Sequence, residues 1–224
     1  SPCDDTDRPA VRRKEKEVLT FDEAPVFIAA SREVPGGLMF ELGLETGMRP
    51  EEYLALRWSD LINGDLMVNQ VVQYNRKGGG FYFADTKSKG SRRRIPVSES
   101  LLRSLRQHRR EQNAHRRAMK GTWFNHNLIF PNVVGNPHTL ANVSNRIFQP
   151  IIEKCGFESR GLTPYSLRHT MATLMLLQGS PVKIVSERLG HASIAITLDT
   201  YAHVIPNMQD AATGIMDGIL RARG

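Results

Sequence analysis

Apolar positions recur every three to four residues over most of the chain, and one central stretch breaks that period with alternating runs. "TFDEAPVFIAAS" opens a helix, with Thr20 and Glu23 at capping-box spacing. "GLMFELGLETG" predicts a second helix stopped by Gly47, and Pro50 is placed as the first residue of a third, "PEEYLALRW". The period then shortens. "DLMVNQVVQY", "GFYFADT" and "RRRIPV" are β-branched or aromatic runs separated by "NRKGG" and "KSKGS", which predicts a three-stranded antiparallel meander. After Ser98 the helical period returns over residues 98–120, 139–155, 164–178 and 181–189, with a short helix from Ser193 and a last one near 206–222. "NLIF", before Pro131, fits helix or strand. The pattern as a whole predicts an α+β fold, mainly helical, with a small three-stranded antiparallel sheet inserted.

Composition narrows this picture. The 224 residues are 40% hydrophobic, enough for one sizeable core, and no run approaches the length needed to cross a bilayer. Cys3 and Cys155 lie far apart without metal-ligand spacing, which fits a reducing cytoplasm better than a disulfide framework or a structural zinc. Thirty Lys and Arg against 23 Asp and Glu leave a net +7, which suits a polyanionic partner such as nucleic acid. The bases cluster in "TKSKGSRRR" (residues 86–94) and in "RSLRQHRREQNAHRRAMK" (residues 103–120). Residues 1–17 are polar, turn-rich and aperiodic, and read as a linker.

Three junctions carry candidate chemistry. In "ETGMRPEEYLALRW", Arg49 sits between a glycine-ended helix and a proline-started one, where open N–H groups favour anions, and Glu52 is spaced to steady it. "TPYSLRHTMATLMLLQG" repeats the device. Thr163 is a plausible N-cap, Pro164 the first helical residue, and Tyr165 and Arg168 share a face at i and i+3, while His169 points elsewhere as a structural hydrogen-bonder. In "ERLGHASIAITLDTYAH", His191 follows a glycine-ended helix and Tyr201 comes ten residues later, with His203 beside it. Taken singly, each reads equally well as an ordinary surface or core residue.

Together, "TGMRPEE", "TKSKGSRRRIPV", "TPYSLRHTMATLMLLQG" and "ERLGHASIAITLDTYAH" stand in the order and spacing of the catalytic domain of the tyrosine recombinases, the phage and transposon integrases. The chain resembles that family from about residue 18 to 203. The resemblance implies that Tyr201 attacks a DNA phosphodiester to give a 3′-phosphotyrosyl link, that Arg49 and Arg168 clamp the phosphate, and that His191 bonds a non-bridging oxygen. Lys87 matches the lysine that protonates the leaving 5′-oxygen, and Glu52 matches the acidic support of the first arginine. Lys89, Arg92 and Arg93 are expected to contact DNA beside Lys87.

A phenol of pKa about 10 needs a base or a field of positive charge to attack at neutral pH, and an alkoxide needs a proton donor to leave. The chemistry implied requires no metal or other cofactor. One departure stands out: Tyr165 occupies a position where the family usually has His, sometimes Lys, so an imidazole is replaced by a phenol that cannot shuttle protons near neutral pH. The resemblance also implies a core-binding domain before residue 1 tethered by residues 1–17, a catalytic domain over 18–205, and a tail helix over 206–224. It implies double-stranded DNA as partner, a tetramer on DNA and a monomer in isolation, no membrane, and a cytoplasmic, nucleoid-associated setting. The competing expectations are an accessory DNA-binding module that has lost cleavage, and a type IB topoisomerase-like nicking-closing activity.

Overall fold

The computed structural model describes residues 17–75, 79–86, 91–204, 217 and 219–221. Its first helix, α1 (Glu23–Arg32), begins after the expected capping box: Thr20 N donates to Glu23 Oε2 at 2.8 Å and Glu23 N to Thr20 Oγ1 at 3.3 Å. Helix α2 (Leu38–Thr46) ends where Gly47 enters the left-handed region at φ +67°. A Cβ at Gly47 would be strained at this positive φ and would have to displace the Met171 methyl, 1.9 Å away.

Helix α3 (Pro50–Tyr53) is shorter than its pattern predicts. Leu54, Ala55 and Leu56 are buried, but the chain leaves the helix there because Leu56 O accepts from Ile129 N at 2.8 Å and Trp58 N donates to Asn127 O at 2.9 Å. Tertiary pairing with the "NLIF" segment thus overrides local propensity.

The antiparallel sheet is present, but not as one meander. "DLMVNQVVQY" breaks at Asn69 into β2 (Asp65–Val68) and β3 (Gln70–Tyr74). Strands β1 (Leu61–Ile62), β2 and β5 (Arg93–Pro96) form one sheet in the order β1-β2-β5, while β3 pairs with β4 (Phe81–Asp85) as a separate hairpin. Strands β4 and β5 therefore belong to different sheets.

Helix α4 (Glu99–Ala118) is capped by Ser98, whose hydroxyl accepts from Leu101 N. Beyond it, α5 (Leu140–Val143) runs through a wider π-type turn at Ser144–Phe148 into α6 (Gln149–Cys155). Then follow α7 (Pro164–Leu177), α8 (Val182–Leu189) and α9 (Ile194–Tyr201). The tail helix expected near 206–222 lies almost wholly outside the described residues.

One large core gathers Phe27, Phe40 and Phe148, with Phe40 edge-on to the other two rings, together with Leu42, Tyr53, Ile95 and Leu167. A smaller one joins Met171, Ala172, Leu176, Val185, Leu189 and Tyr201 between α7, α8 and α9. Among the described residues no helix is long and apolar enough to cross a membrane.

Candidate active site

The site assembles at helix ends. Arg49 is the N-cap of α3, its backbone extended at φ −71°, ψ 150°, with Pro50 locking the first helical position. Glu52, at the third helical position, returns to it: Oε2 accepts from Arg49 N at 2.8 Å and Oε1 from Arg49 Nη1 at 3.0 Å. The same carboxylate accepts Arg93 Nη1 at 3.0 Å and Arg93 Nη2 at 2.8 Å. Glu52 is 1% exposed. Burial by itself raises its pKa, but the bonds and charge of Arg93, helped by Arg49, outweigh that and hold it below the usual carboxylate range.

Arg93, expected from the sequence to contact DNA, is turned inward. It is buried, with Nε donating to Arg188 O at 2.7 Å and the rest of its fork on Glu52. Alternation along β5 places Arg93 on the inward face with Ile95, and Arg94 outward beside Pro96. A Cβ at Gly190, where φ is +68°, would lie 2.9 Å from Arg93 Nη1, so the glycine that ends α8 also makes room for this guanidinium. Arg92 is exposed and bonded to Asp85 at 3.0 Å. Lys87 and Lys89 lie outside the described residues.

Arg168 enters from the first turns of α7, whose start is fixed by Thr163 N donating to Ser166 Oγ at 3.1 Å. It is 4% exposed, and Nη1 donates to Gly47 O at 2.7 Å. Its Nη2 is buried without a hydrogen-bond partner among the described residues. Burial, then the charge of Arg49, pull its pKa down to about 9, with Glu52 acting against them. An unmet guanidinium N–H in this position is a donor waiting for an anion.

His191 follows Gly190 directly, and its Nδ1 lies 2.8 Å from the hydroxyl of buried Thr197. Burial, together with Arg168, Arg49 and Arg93, lowers its pKa to about 4, so the ring is neutral at pH 7.

Tyr201 closes α9 at 3% exposure, packed against Met171 and Leu189 of the small core. Burial pushes its pKa up to about 12, while Arg168 acts to lower it. Its hydroxyl lies 2.8 Å from His169 Nδ1, and the two rings are tilted with centroids 5.9 Å apart. His169, read from sequence as a brace, therefore touches the candidate nucleophile itself.

Tyr165 stands exposed at the rim, and its hydroxyl donates to Glu51 Oε1. Partial burial and that carboxylate hold the phenol protonated. Tyr165, Glu51 and Arg49 line one side of an open cavity of about 600 Å3, and Val71, Gln73 and Tyr74 of β3 line the other. Among the described residues no three His, Cys, Asp or Glu side chains gather to hold a metal ion.

The structure thus brings together Arg49, Glu52, Tyr165, Arg168, His169, His191 and Tyr201. It adds Glu51 and Thr197, for which the sequence carried no signal, and it turns Arg93 inward onto Glu52.

Comparison with known proteins gives this arrangement a family. A tyrosine recombinase XerC-like protein of Caldanaerobacter subterraneus subsp. tengcongensis is 30% identical over 193 residues, covering 81% of this chain and 49% of the relative. The ICEBs1 integrase of Bacillus subtilis is 27% identical, covering 98% and 59%. The chain spans about half the length of these curated relatives. In fold it is similar to the Tn1549 transposon integrase solved in complex with a circular intermediate DNA, with a TM-score of 0.74 at 21% identity, covering 93% of this chain and 67% of that one. The model of the phage integrase family matches residues 17–208, and the chain belongs to that family.

Proposed function

We propose that this domain cleaves and rejoins DNA as a site-specific recombinase, integrating or excising a mobile element through a 3′-phosphotyrosyl intermediate. The observation that carries the reading is a buried Arg168 Nη2 with no partner among the described residues, electrostatically coupled to a buried Tyr201 whose hydroxyl is held by His169. A scissile phosphate placed between Arg49 and Arg168 satisfies both forks. With Nδ1 of neutral His191 turned to Thr197, Nε2 is left to donate to a non-bridging oxygen.

In the step proposed, Tyr201 Oη attacks phosphorus while its proton passes to His169 Nδ1. The bond from phosphorus to the 5′-oxygen breaks, and Lys87 supplies that oxygen with its proton. Preorganised donors of this kind are worth on the order of 10² to 10³ in rate each. The phosphotyrosyl bond keeps the energy of the broken one, so a 5′-hydroxyl of a second strand reverses the step without ATP.

The proposal extends to the whole protein: residues 18–205 as the catalytic unit, 1–17 as a tether from a core-binding domain, 206–224 as a tail helix. It includes a tetramer on duplex DNA, a monomer in isolation, and action at the nucleoid in the cytoplasm. Similarity to XerC-like recombinases and integrases supports it. A duplex nicked close to the cleavage site, so that the short product strand is lost, tests it. Wild type is expected to accumulate an SDS-resistant DNA adduct and Tyr201→Phe none; no adduct with either sinks the enzymatic reading and leaves a DNA-binding module.

A further inference from the structure

Helix α4 carries a charge pattern that the catalytic site does not use. Residues 103–120 hold seven of the chain's 30 Lys and Arg and one of its 23 Asp and Glu, +6 of the total +7. The rest of the molecule is close to neutral, so the basic balance of this protein is a property of one segment.

The placement of these charges is one-sided. At 3.6 residues per turn, Arg103, Arg106, Arg109, Arg110, Arg116 and Arg117 fall within an arc of about 140°. All six are exposed. Leu101 and Leu105 are buried in the large core, and His108 faces inward to Ile129 O at 2.7 Å. The acids do not cancel the stripe. Glu111 lies off the arc and accepts from Gln107, while Glu99 is 3.9 Å from Arg106 with both side chains in water. Arg103, Arg109, Arg116 and Arg117 have no carboxylate within ion-pair distance among the described residues. Arg109 lies over Trp58, 5.0 Å from the ring. Beside it a cavity of about 70 Å3 is lined by Arg109, Asn113, Arg116, Trp123 and Asn125 with no carboxylate, a donor-rich lining suited to one phosphate group.

The stripe is remote from the clamp. Ser98 N and Oγ donate to the Glu45 carboxylate, so α4 starts beside the end of α2 that carries Gly47. Arg103, Gln107 and Glu111 then run alongside residues 31–38, at the opposite end of α2. At 1.5 Å per residue, Arg116 is about 25 Å from the start of α4, on a path leading away from Arg49 and Arg168.

We propose that the α4 arginine face binds the sugar-phosphate backbone of a segment of duplex DNA other than the one at the scissile phosphate. The choice of DNA among polyanions rests on the recombinase reading. The stripe from Arg103 to Arg117 is about 21 Å long, and a duplex of that length presents about twelve phosphates, half of them facing the protein. Contacts to sugar and phosphate carry no sequence information, so binding through this face is sequence-independent and salt-sensitive.

The test compares wild type with an Arg106→Gln, Arg110→Gln, Arg116→Gln, Arg117→Gln variant, all exposed sites where substitution leaves thermal melting unchanged. Binding of both to a duplex of unrelated sequence is measured against salt concentration. The slope of log affinity on log salt is expected to fall by about 3 to 4, at roughly 0.9 for each phosphate no longer neutralised, while adduct formation on the nicked substrate at saturating protein stays within about twofold. An unchanged slope overturns the proposal. Competition by polyglutamate as effective as by duplex of equal charge also overturns it, in favour of an acidic protein partner. Absence of adduct with a lowered slope would instead remove the recombinase reading and leave the stripe standing.

Discussion

The two halves of the site are built to different standards of rigidity. The proposed phosphate clamp is tied into the large core: Glu52 holds two guanidiniums with three bonds and the Arg49 backbone N–H with a fourth, and Arg168 is fixed to Gly47 O at the end of a buried helix. The proposed nucleophile, Tyr201, rides on α9, which packs on the small core, with Ile194, Ile196 and Leu198 exposed and the Tyr201 hydroxyl held by His169. Local stability follows buried apolar packing and satisfied bonds. In the mechanism proposed, the clamp is therefore preorganised, and α9, which carries Tyr201, is the segment free to adjust when a phosphate binds.

Substitutions can break that contrast from either side, and the clamp should yield the largest effect. Glu52→Gln strips the shared anion from Arg49 and Arg93 and leaves Arg93 buried without its counter-charge. Breaking such a pair costs about 3 kcal/mol or more, so urea unfolding should shift accordingly, with adduct formation falling at least about 10²-fold. A change confined to activity, with stability intact, would mean the clamp is not tied to the core as described.

On the nucleophile side, His169→Ala should slow adduct formation about 10² to 10³-fold while leaving duplex affinity and melting nearly unchanged. Added imidazole should recover part of the rate, which a role in packing alone would not allow. At the rim the effect is smaller. Tyr165→His exchanges a phenol held by Glu51 for a group able to move protons, and since His169 already faces Tyr201 the gain expected is about tenfold at most. A loss would show that the pairing with Glu51 is itself required.

The smallest effect concerns pH. His191 is held neutral, with its pKa lowered to about 4 against 6.5 in the unfolded chain. Between those values the unfolded state binds the proton and the folded state does not, so stability falls as pH drops through that window. His191→Asn should show a shallower decline of melting temperature from pH 6.5 to 4 than wild type; parallel declines would mean the ring is not buried among the arginines.

What the sequence disclosed follows the same division. Helix starts and stops are punctuated by Gly47, Pro50, Thr163 and Pro164, so Arg49 and Arg168 could be placed from local rules alone. Arg93 could not, because "RRR" reads as a wetted cluster until the β5 alternation shows one arginine turned inward beside Ile95. The division of the strands at Asn69 and the early end of α3 depend on partners far along the chain, Arg93–Pro96 and Ile129, which no local pattern encodes. The bond from His169 to Tyr201 spans 32 residues and needs α7 and α9 folded together.

Covalent joining of Tyr201 to DNA is the central claim. Digesting the adduct trapped on the nicked duplex and identifying the nucleotide-bearing peptide by mass spectrometry tests it most directly. The modification is expected on Tyr201, in the peptide containing "LDTYAHV", and absent from the Tyr201→Phe protein. A nucleotide carried by Tyr165 or any other side chain, or an adduct that survives Tyr201→Phe, would contradict it.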